Sequence, residues 1–180
     1  MESKVDKREA CVRCSSSNDY IFQFFYEAIE HTRHETKLRP LLKDIYNDIK
    51  YYENKNFEEI IYMIHDICKN INQIGPLMVY DISARICRHY GIIIDNVYII
   101  GGGPKKAIKL LNINPKLHKI NKNIKVHHYV TIDELITAFD NSIYELNETM
   151  RNNRNGDDWE TFICKWAKNK INVPFKSSRV

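Results

Sequence analysis

Apolar residues recur at intervals of three and four along most of this 180-residue chain, and that spacing restricts its fold more than any other feature. Ile60, Ile61, Ile64 and Cys68 form the clearest stretch, and their period places them on one face of an α-helix. The pattern predicts an all-α protein, a single compact bundle of about seven helices with a helix-hairpin-helix-like centre and little or no sheet.

Two Gly-Pro pairs, Gly75-Pro76 and Gly103-Pro104, mark where helices begin, because proline needs no donor in a first helical turn. We expect one helix from about Val79 to Tyr90, ending at Gly91, and a short one from Pro104 to Leu111. The segment between them, Ile92 to Ile100, is short, apolar and β-branched, so a strand and a buried helix both fit it.

Three pairs of residues have the three-residue spacing of a capping box, which satisfies N–H groups at the start of a helix. The pairs are Asn56 with Glu59, Thr131 with Glu134, and Asp157 with Glu160. We expect a helix after each. Residues 112–130 are polar apart from a β-like patch at 124–130.

The domain prediction places a flexible tail at residues 1–17, a helical domain at 18–172 and a C-terminal tail at 173–180. No apolar run approaches the roughly 20 residues that a membrane span requires. The charged residues 1–9 lead into no apolar segment of the kind a signal peptide has. We therefore predict an intracellular protein, cytoplasmic or in the nucleoid or nucleus, with no membrane partner.

The five cysteines form no disulfide framework, which favours free thiols in an intracellular protein. Cys68 and Cys87 lie on apolar helix faces and are predicted to be core residues. Cys11 and Cys14 with His31 and His34 present two Cys and two His, but their spacing is not that of a zinc finger, so no metal and no cofactor is predicted.

Charge is a weak guide here. The formal net charge of +4 permits contact with DNA or another phosphate-bearing ligand but does not require it. A basic stretch from His31 to Arg39 contains His31, Arg33 and His34, which suit phosphate binding or proton transfer and equally suit an exposed helix end.

The run Gly101-Gly102-Gly103-Pro104 is the one glycine-rich turn of the chain, and Lys105, Lys106 and Lys109 follow it. Free N–H groups at a helix N-terminus, the positive end of the helix dipole and nearby lysines together favour a phosphate group. The Walker phosphate-binding sequence does not occur.

Gly101 to Leu111 resembles the hairpin of helix-hairpin-helix DNA-binding proteins. In that family a Gly-aliphatic-Gly turn leads into a second helix, and the turn amides hold a DNA backbone phosphate. Gly102 takes the place of the aliphatic residue, so the anchoring side chain of the family pattern is absent here.

A longer segment, Ile74 to Gly102, resembles a family of uncharacterised helical proteins with an Ile-Gly-x-h-x-Val-Tyr-Asp pattern. The matching positions are Ile74, Gly75, Val79, Tyr80, Asp81, Arg85, Gly91, Val97, Tyr98 and Gly102. The family has a His where this chain has Ile100, and the resemblance implies a folding unit without implying a reaction.

Three positions in that segment invite a functional interpretation. Asp81 and Arg85 are four residues apart and would face the same side of a helix, where a paired structural role is favoured over catalysis. Tyr80 fits a packed residue with a hydrogen-bonded hydroxyl.

The leading hypothesis is a DNA-binding helical protein that contacts backbone phosphate through the glycine turn. The predicted phosphate-binding residues are Gly101, Gly102, Gly103, Lys105, Lys106, Lys109 and Arg85. The possible accessory residues are His31, Arg33, His34, Tyr80 and Asp81. Two alternatives stay open: a protein-interaction or regulatory bundle, and an enzyme acting on a phosphorylated small molecule or a DNA base.

Overall fold

The structure is a computed structural model that describes residues 40–41, 43–45, 47–71, 74–118 and 127–176. The chain divides into two units, Met1–Lys55 and Asn56–Val180. In the first unit the described residues from Pro40 to Asn47 are helical, and a 3-10 turn follows at Ile49–Tyr52. The predicted tail at 1–17, the His31–Arg39 stretch and the Cys11/Cys14 pair lie outside the described residues.

Helices dominate the second unit, which confirms the prediction of a mainly helical protein. In chain order they are α1 (Phe57–Cys68), α2 (Pro76–His89), α3 (Gly102–Leu110), α4 (Ile132–Asp140), α5 (Glu148–Asn152) and α6 (Gly156–Ala167). None of the helices in the described part of the chain combines the length and the apolar character that crossing a bilayer would take.

A three-stranded antiparallel sheet corrects the all-α prediction. Its strands are β1 (Asn96–Tyr98), β2 (Lys116–His118) and β3 (His127–Thr131), in the order β1-β3-β2. Val97 lies opposite Val130, and Leu117 lies opposite His128. Within the β-branched stretch 92–100, Asn96–Tyr98 therefore form a strand, and β2 arises in a polar stretch that has no strand pattern.

The glycine turn follows a strand and not a helix. β1 ends at Tyr98, and after Ile99 and Ile100 the turn leads directly into α3. The centre of the domain is thus a strand–turn–helix unit, and the first helix of a helix-hairpin-helix unit is absent from it. Pairing with β3 accounts for this, because the Ile99 amide donates to the His128 carbonyl at 2.7 Å.

Helix starts follow the sequence signals at two of the three predicted capping boxes. Asn56 with Glu59 and Thr131 with Glu134 each form both reciprocal hydrogen bonds. At α6 the cap is instead Asn155, whose side chain accepts from the Asp157 amide at 3.0 Å. The Asp157–Glu160 prediction was wrong because the helix begins before Asp157, at Gly156.

Two hydrophobic clusters stabilise the second unit. In one, Phe57, Tyr80 and Tyr98 pack with ring centroids 5.0 to 6.0 Å apart, which joins α1, α2 and β1. In the other, Phe139 and Trp159 are fully buried where α4 meets α6. Cys68 and Cys87 are buried as predicted, and burial raises the pKa of their thiols to about 11 and about 12.

The packed part of the chain continues past residue 172. Val173 is buried, and Phe175 forms an antiparallel bridge with Tyr144. Residues 173–176 therefore pack onto the domain, although the sequence analysis assigned them to a tail.

Lys176 supplies an unusual C-terminal cap for α4. Its Nζ donates to the carbonyls of Phe139, Asp140 and Ser142 at 3.0, 2.5 and 2.8 Å. A cation at a helix C-terminus is stabilising, so Lys176→Ala should lower the free energy of unfolding by about 1 kcal/mol. Urea denaturation followed by circular dichroism measures this, with the exposed Lys170→Ala as the matched control. Equal midpoints for the two variants would contradict the capping role.

Candidate phosphate-binding site

The glycine turn places the N-terminus of α3 at the surface of the second unit. Gly101 has φ +86° and ψ 177°, a conformation that is essentially restricted to glycine. It occupies the N-cap position, no described side chain caps the helix, and the first turn contains no acidic residue. The first N–H groups of a helix have no intrahelical partner, and here they belong to the exposed Gly102, the buried Gly103 and the exposed Lys105, because Pro104 has no N–H.

The three glycines have different surroundings. A Cβ atom added to Gly101 or Gly102 would meet no heavy atom within 4 Å, and Gly102 is exposed. At Gly103 it would lie 2.5 Å from the Sγ of Cys164, so this glycine permits close packing of α3 on α6. Gly101 and Gly102 therefore leave the turn open to solvent, whereas Gly103 is required by packing.

The three lysines predicted for this site are all exposed. At 100° per residue, Lys105, Lys106 and Lys109 lie on the same side of α3 as Gly102. Ala107 and Ile108 are buried on the opposite side. The structure thus brings the turn and these lysines together on one outer face.

A fourth lysine, which the sequence analysis missed, reaches the same turn from α6. The Cε of Lys168 lies 3.1 Å from the position that a Cβ on Gly103 would occupy. Lys168 is exposed. Its spacing from Glu160 and Cys164 shows that the three share a helix face, but only the packing of α6 on α3 shows that this face meets the turn.

A group of carboxylates, here called the acidic cluster, lies between α2 and α6. It consists of Asp81, Asp157 and Glu160. The Tyr80 hydroxyl donates to Asp157 Oδ1 at 3.2 Å, and Arg88 forms an ion pair with the same carboxylate. The two helices are therefore joined by polar contacts as well as by packing.

Two members of the acidic cluster, Glu160 and Asp81, have a pKa above that of isolated carboxylates. Burial, together with the charges of Asp157 and Asp81, raises the pKa of Glu160 to about 7. Burial also raises the pKa of Asp81, an effect that the neighbouring Arg85 partly offsets. Both shifts have the same cause, since a partly buried carboxylate beside other carboxylates is poorly stabilised in its charged form.

Of the remaining predicted site residues, those that the structure describes lie at the acidic cluster and not at the glycine turn. Tyr80 is a buried packing residue with a bonded hydroxyl, as predicted. Arg85 acts on Asp81 in the acidic cluster. Its contact with phosphate stays a prediction. His31, Arg33 and His34 lie outside the described residues.

A metal site does not emerge from the described side chains, because no group of three or more His, Cys, Asp or Glu residues among them is arranged to hold an ion. Comparison of the chain with protein-family models, with curated proteins and with solved structures finds no match. Any functional argument therefore rests on the chain's own residues.

Proposed function

We propose that the protein binds nucleic acid, with one backbone phosphate bound at the N-terminus of α3. The observation that carries the proposal is the open, uncapped turn at Gly101 and Gly102 with Lys105 and Lys106 exposed beside it. A strand followed by a glycine-rich turn and a helix N-terminus is a general arrangement for phosphate binding.

The charge around the turn supports a phosphate ligand. The first turn of α3 is free of acidic residues, and Lys105 and Lys109 are one helical turn apart on its outer face. Phosphate contacts of this kind position a protein on DNA without reading its sequence, so we expect binding with little sequence preference.

The exposure of the turn and of the lysines on α3 favours a polymeric ligand over a small molecule. Small-molecule sites bury most of their ligand in a concave pocket, whereas Gly102 and all three lysines of α3 are exposed. An exposed row of cations beside free amides suits a backbone that passes across the surface.

The test is the salt dependence of binding to a short fluorescein-labelled DNA duplex. Each lysine that contacts a phosphate contributes about 1 to the slope of log affinity against log salt concentration. Lys105→Ala combined with Lys106→Ala should therefore weaken binding and reduce that slope by about 2. Fluorescence anisotropy at several salt concentrations measures both quantities.

The matched control is the double variant Lys50→Ala with Lys69→Ala, which removes the same charge from parts of the chain other than α3. Both lysines are exposed and lie outside α3. If the two double variants lose affinity and slope equally, the effect is one of net charge and the turn is not the site.

A second candidate is an enzyme that acts on a phosphorylated small molecule, and the acidic cluster favours it. A carboxyl group with a pKa of about 7, such as Glu160, is suited to general acid–base catalysis at neutral pH. Saturable binding of a small phosphate ester that competes with the DNA duplex, and is lost with Lys105→Ala, would favour this candidate over the first.

A further inference from the structure

An asparagine–glycine pair, Asn155-Gly156, lies at the start of α6, where the helix meets β1. Asparagine deamidates spontaneously, and it does so fastest before glycine, because glycine has no side chain to hinder attack of its backbone nitrogen. The pair occurs once in the chain. It is therefore the position at which this chemistry is intrinsically favoured.

The reaction needs only water. The nitrogen of Gly156 forms a bond with Cγ of Asn155 and loses its proton, while the side-chain amide leaves as ammonia. Water then opens the resulting cyclic imide at either of its carbonyl groups. One opening gives aspartate. The other gives isoaspartate, in which the main chain runs through the former side chain and is longer by one carbon.

The folded structure opposes the first step at both reacting groups. The N–H of Gly156 donates to the Ile94 carbonyl at 2.6 Å, and Gly156 is buried, so its nitrogen is neither exposed to water nor free to lose its proton. The Asn155 side chain accepts from the Asp157 amide at 3.0 Å. Closing the imide ring turns the side chain and the peptide nitrogen toward each other, which both hydrogen bonds resist.

The side chain of Asn153 keeps this turn closed. Its Oδ1 accepts from the Asn155 amide at 2.7 Å, and its Nδ2 donates to Asp158 at 3.0 Å. The Asn153 carbonyl accepts from Nε1 of Trp159, a residue that is fully buried. The turn is thus tied to the hydrophobic core, and the reacting pair becomes free only when the start of α6 opens.

The two products differ in whether they fit the closed turn. Aspartate caps a helix as well as asparagine does, and its negative charge suits a helix N-terminus. Isoaspartate lengthens the main chain immediately before Gly156, where even one added Cβ would overlap the carbonyl oxygen of Asn96. Isoaspartate is therefore incompatible with the contact between α6 and β1.

We propose that Asn155-Gly156 is a deamidation site controlled by the contact between α6 and β1. The pair is protected while this contact is closed, and isoaspartate that forms during an opening prevents the contact from closing again. The modification thus identifies molecules in which the start of α6 has opened. This inference goes beyond the proposed function and does not depend on binding of nucleic acid.

The experiment follows deamidation of the full chain in native buffer and in urea, at the same pH and temperature. Trypsin cleaves after Arg154 and Lys165, and Asn155 is the sole asparagine of the peptide between them. Mass spectrometry of this peptide measures conversion of the amide to an acid. The folded protein should react about tenfold or more slowly than the unfolded protein, because reaction requires local opening. Equal rates in the two states would overturn the proposal.

Asn153→Ala opens the turn without changing the reacting pair. Loss of its side-chain hydrogen bonds should make deamidation in native buffer about fivefold faster, relative to the rate of the same variant in urea. Asn152→Ala is the matched control, because Asn152 is the exposed neighbour and should leave the rate unchanged. Circular dichroism checks that both variants are folded. Equal relative rates for the two variants would contradict the role of the turn.

Refolding tests the fate of the products. Wild-type chains that are partly deamidated in urea are returned to native buffer, and size-exclusion chromatography isolates the folded fraction. Electron-transfer dissociation of the tryptic peptide then distinguishes aspartate from isoaspartate. The folded fraction should retain asparagine and aspartate at position 155 and be depleted of isoaspartate, with the unmodified chains as the internal control. Isoaspartate in the same proportion as before refolding would overturn its incompatibility with the closed contact.

Discussion

Gly156→Ala is expected to destabilise the second unit by about 3 kcal/mol or more, because overpacking against backbone atoms leaves no side chain that can move aside. A Cβ at this position would lie 2.1 Å from the carbonyl oxygen of Asn96 and 2.8 Å from that of Ile94. The Gly156 amide also donates to the Ile94 carbonyl at 2.6 Å, which fixes the start of α6 against the segment before β1.

The matched control for this prediction is Gly102→Ala. An added Cβ at Gly102 meets open space, and alanine has the higher helix propensity, so stability should be unchanged or raised by up to about 1 kcal/mol. Urea denaturation of both variants, followed by circular dichroism, gives the comparison. Equal stability of the two alanine variants would show that α6 does not approach β1 as closely as described.

Glu160→Gln is expected to stabilise the protein by about 1 to 2 kcal/mol at pH 8 and to have little effect on its stability near pH 5. In the folded state the pKa of Glu160 is about 7, against an ordinary value of 4.5. Because a shift of one pKa unit is equivalent to 1.36 kcal/mol, this rise lowers the unfolding free energy at high pH by at most about 3 kcal/mol. Solvent screening of the partly exposed side chain reduces that figure.

The sign follows from proton binding. Because the folded state binds the Glu160 proton more tightly than the unfolded state, the stabilisation is fully present below pH 4.5 and is lost as pH rises through about 7. Glutamine does not ionise, so the Glu160→Gln variant does not lose this stability as pH rises. Denaturation of both proteins at pH 5 and pH 8 measures the difference in unfolding free energy, with Glu145→Gln as the control for removing one negative charge. A stability difference between Glu160→Gln and wild type that does not vary with pH would contradict the burial of this carboxyl among Asp81 and Asp157.

Local signals were sufficient to predict most helices. The capping boxes at Asn56 and Thr131 depend on residues three apart, so the sequence contains all of the interaction. Pro76 likewise occupies the first turn of α2, and Gly91 has the positive φ expected of a helix end. These features are fixed within a few residues, which is why periodicity and capping rules find them.

Features that depend on distant partners could not be predicted. β1 is a strand because Val97 pairs with Val130, a partner more than thirty positions away. α6 begins two residues before its expected start, at Gly156, whose amide donates to the Ile94 carbonyl, again far away in sequence. Helix and strand fit the local pattern around β1 equally well, and tertiary pairing decided between them.

The candidate site divides in the same way. The turn and the lysines of α3 follow from glycine, proline and lysine adjacent in sequence. Lys168 and the acidic cluster follow from the packing of α6 on α3 and its polar contacts with α2, which no spacing within one helix reveals. The sequence therefore predicted the turn and the lysines of α3 and gave no sign of Lys168 or of the acidic cluster.

The backbone amides of Gly102 and Gly103 test the central claim most directly. Titration of ¹⁵N-labelled protein with the unlabelled DNA duplex should give its largest amide chemical-shift changes at these two residues and at Lys105, because their N–H groups are proposed to hold the phosphate. Changes concentrated on other elements, with these three amides unaffected, would contradict phosphate binding at the N-terminus of α3.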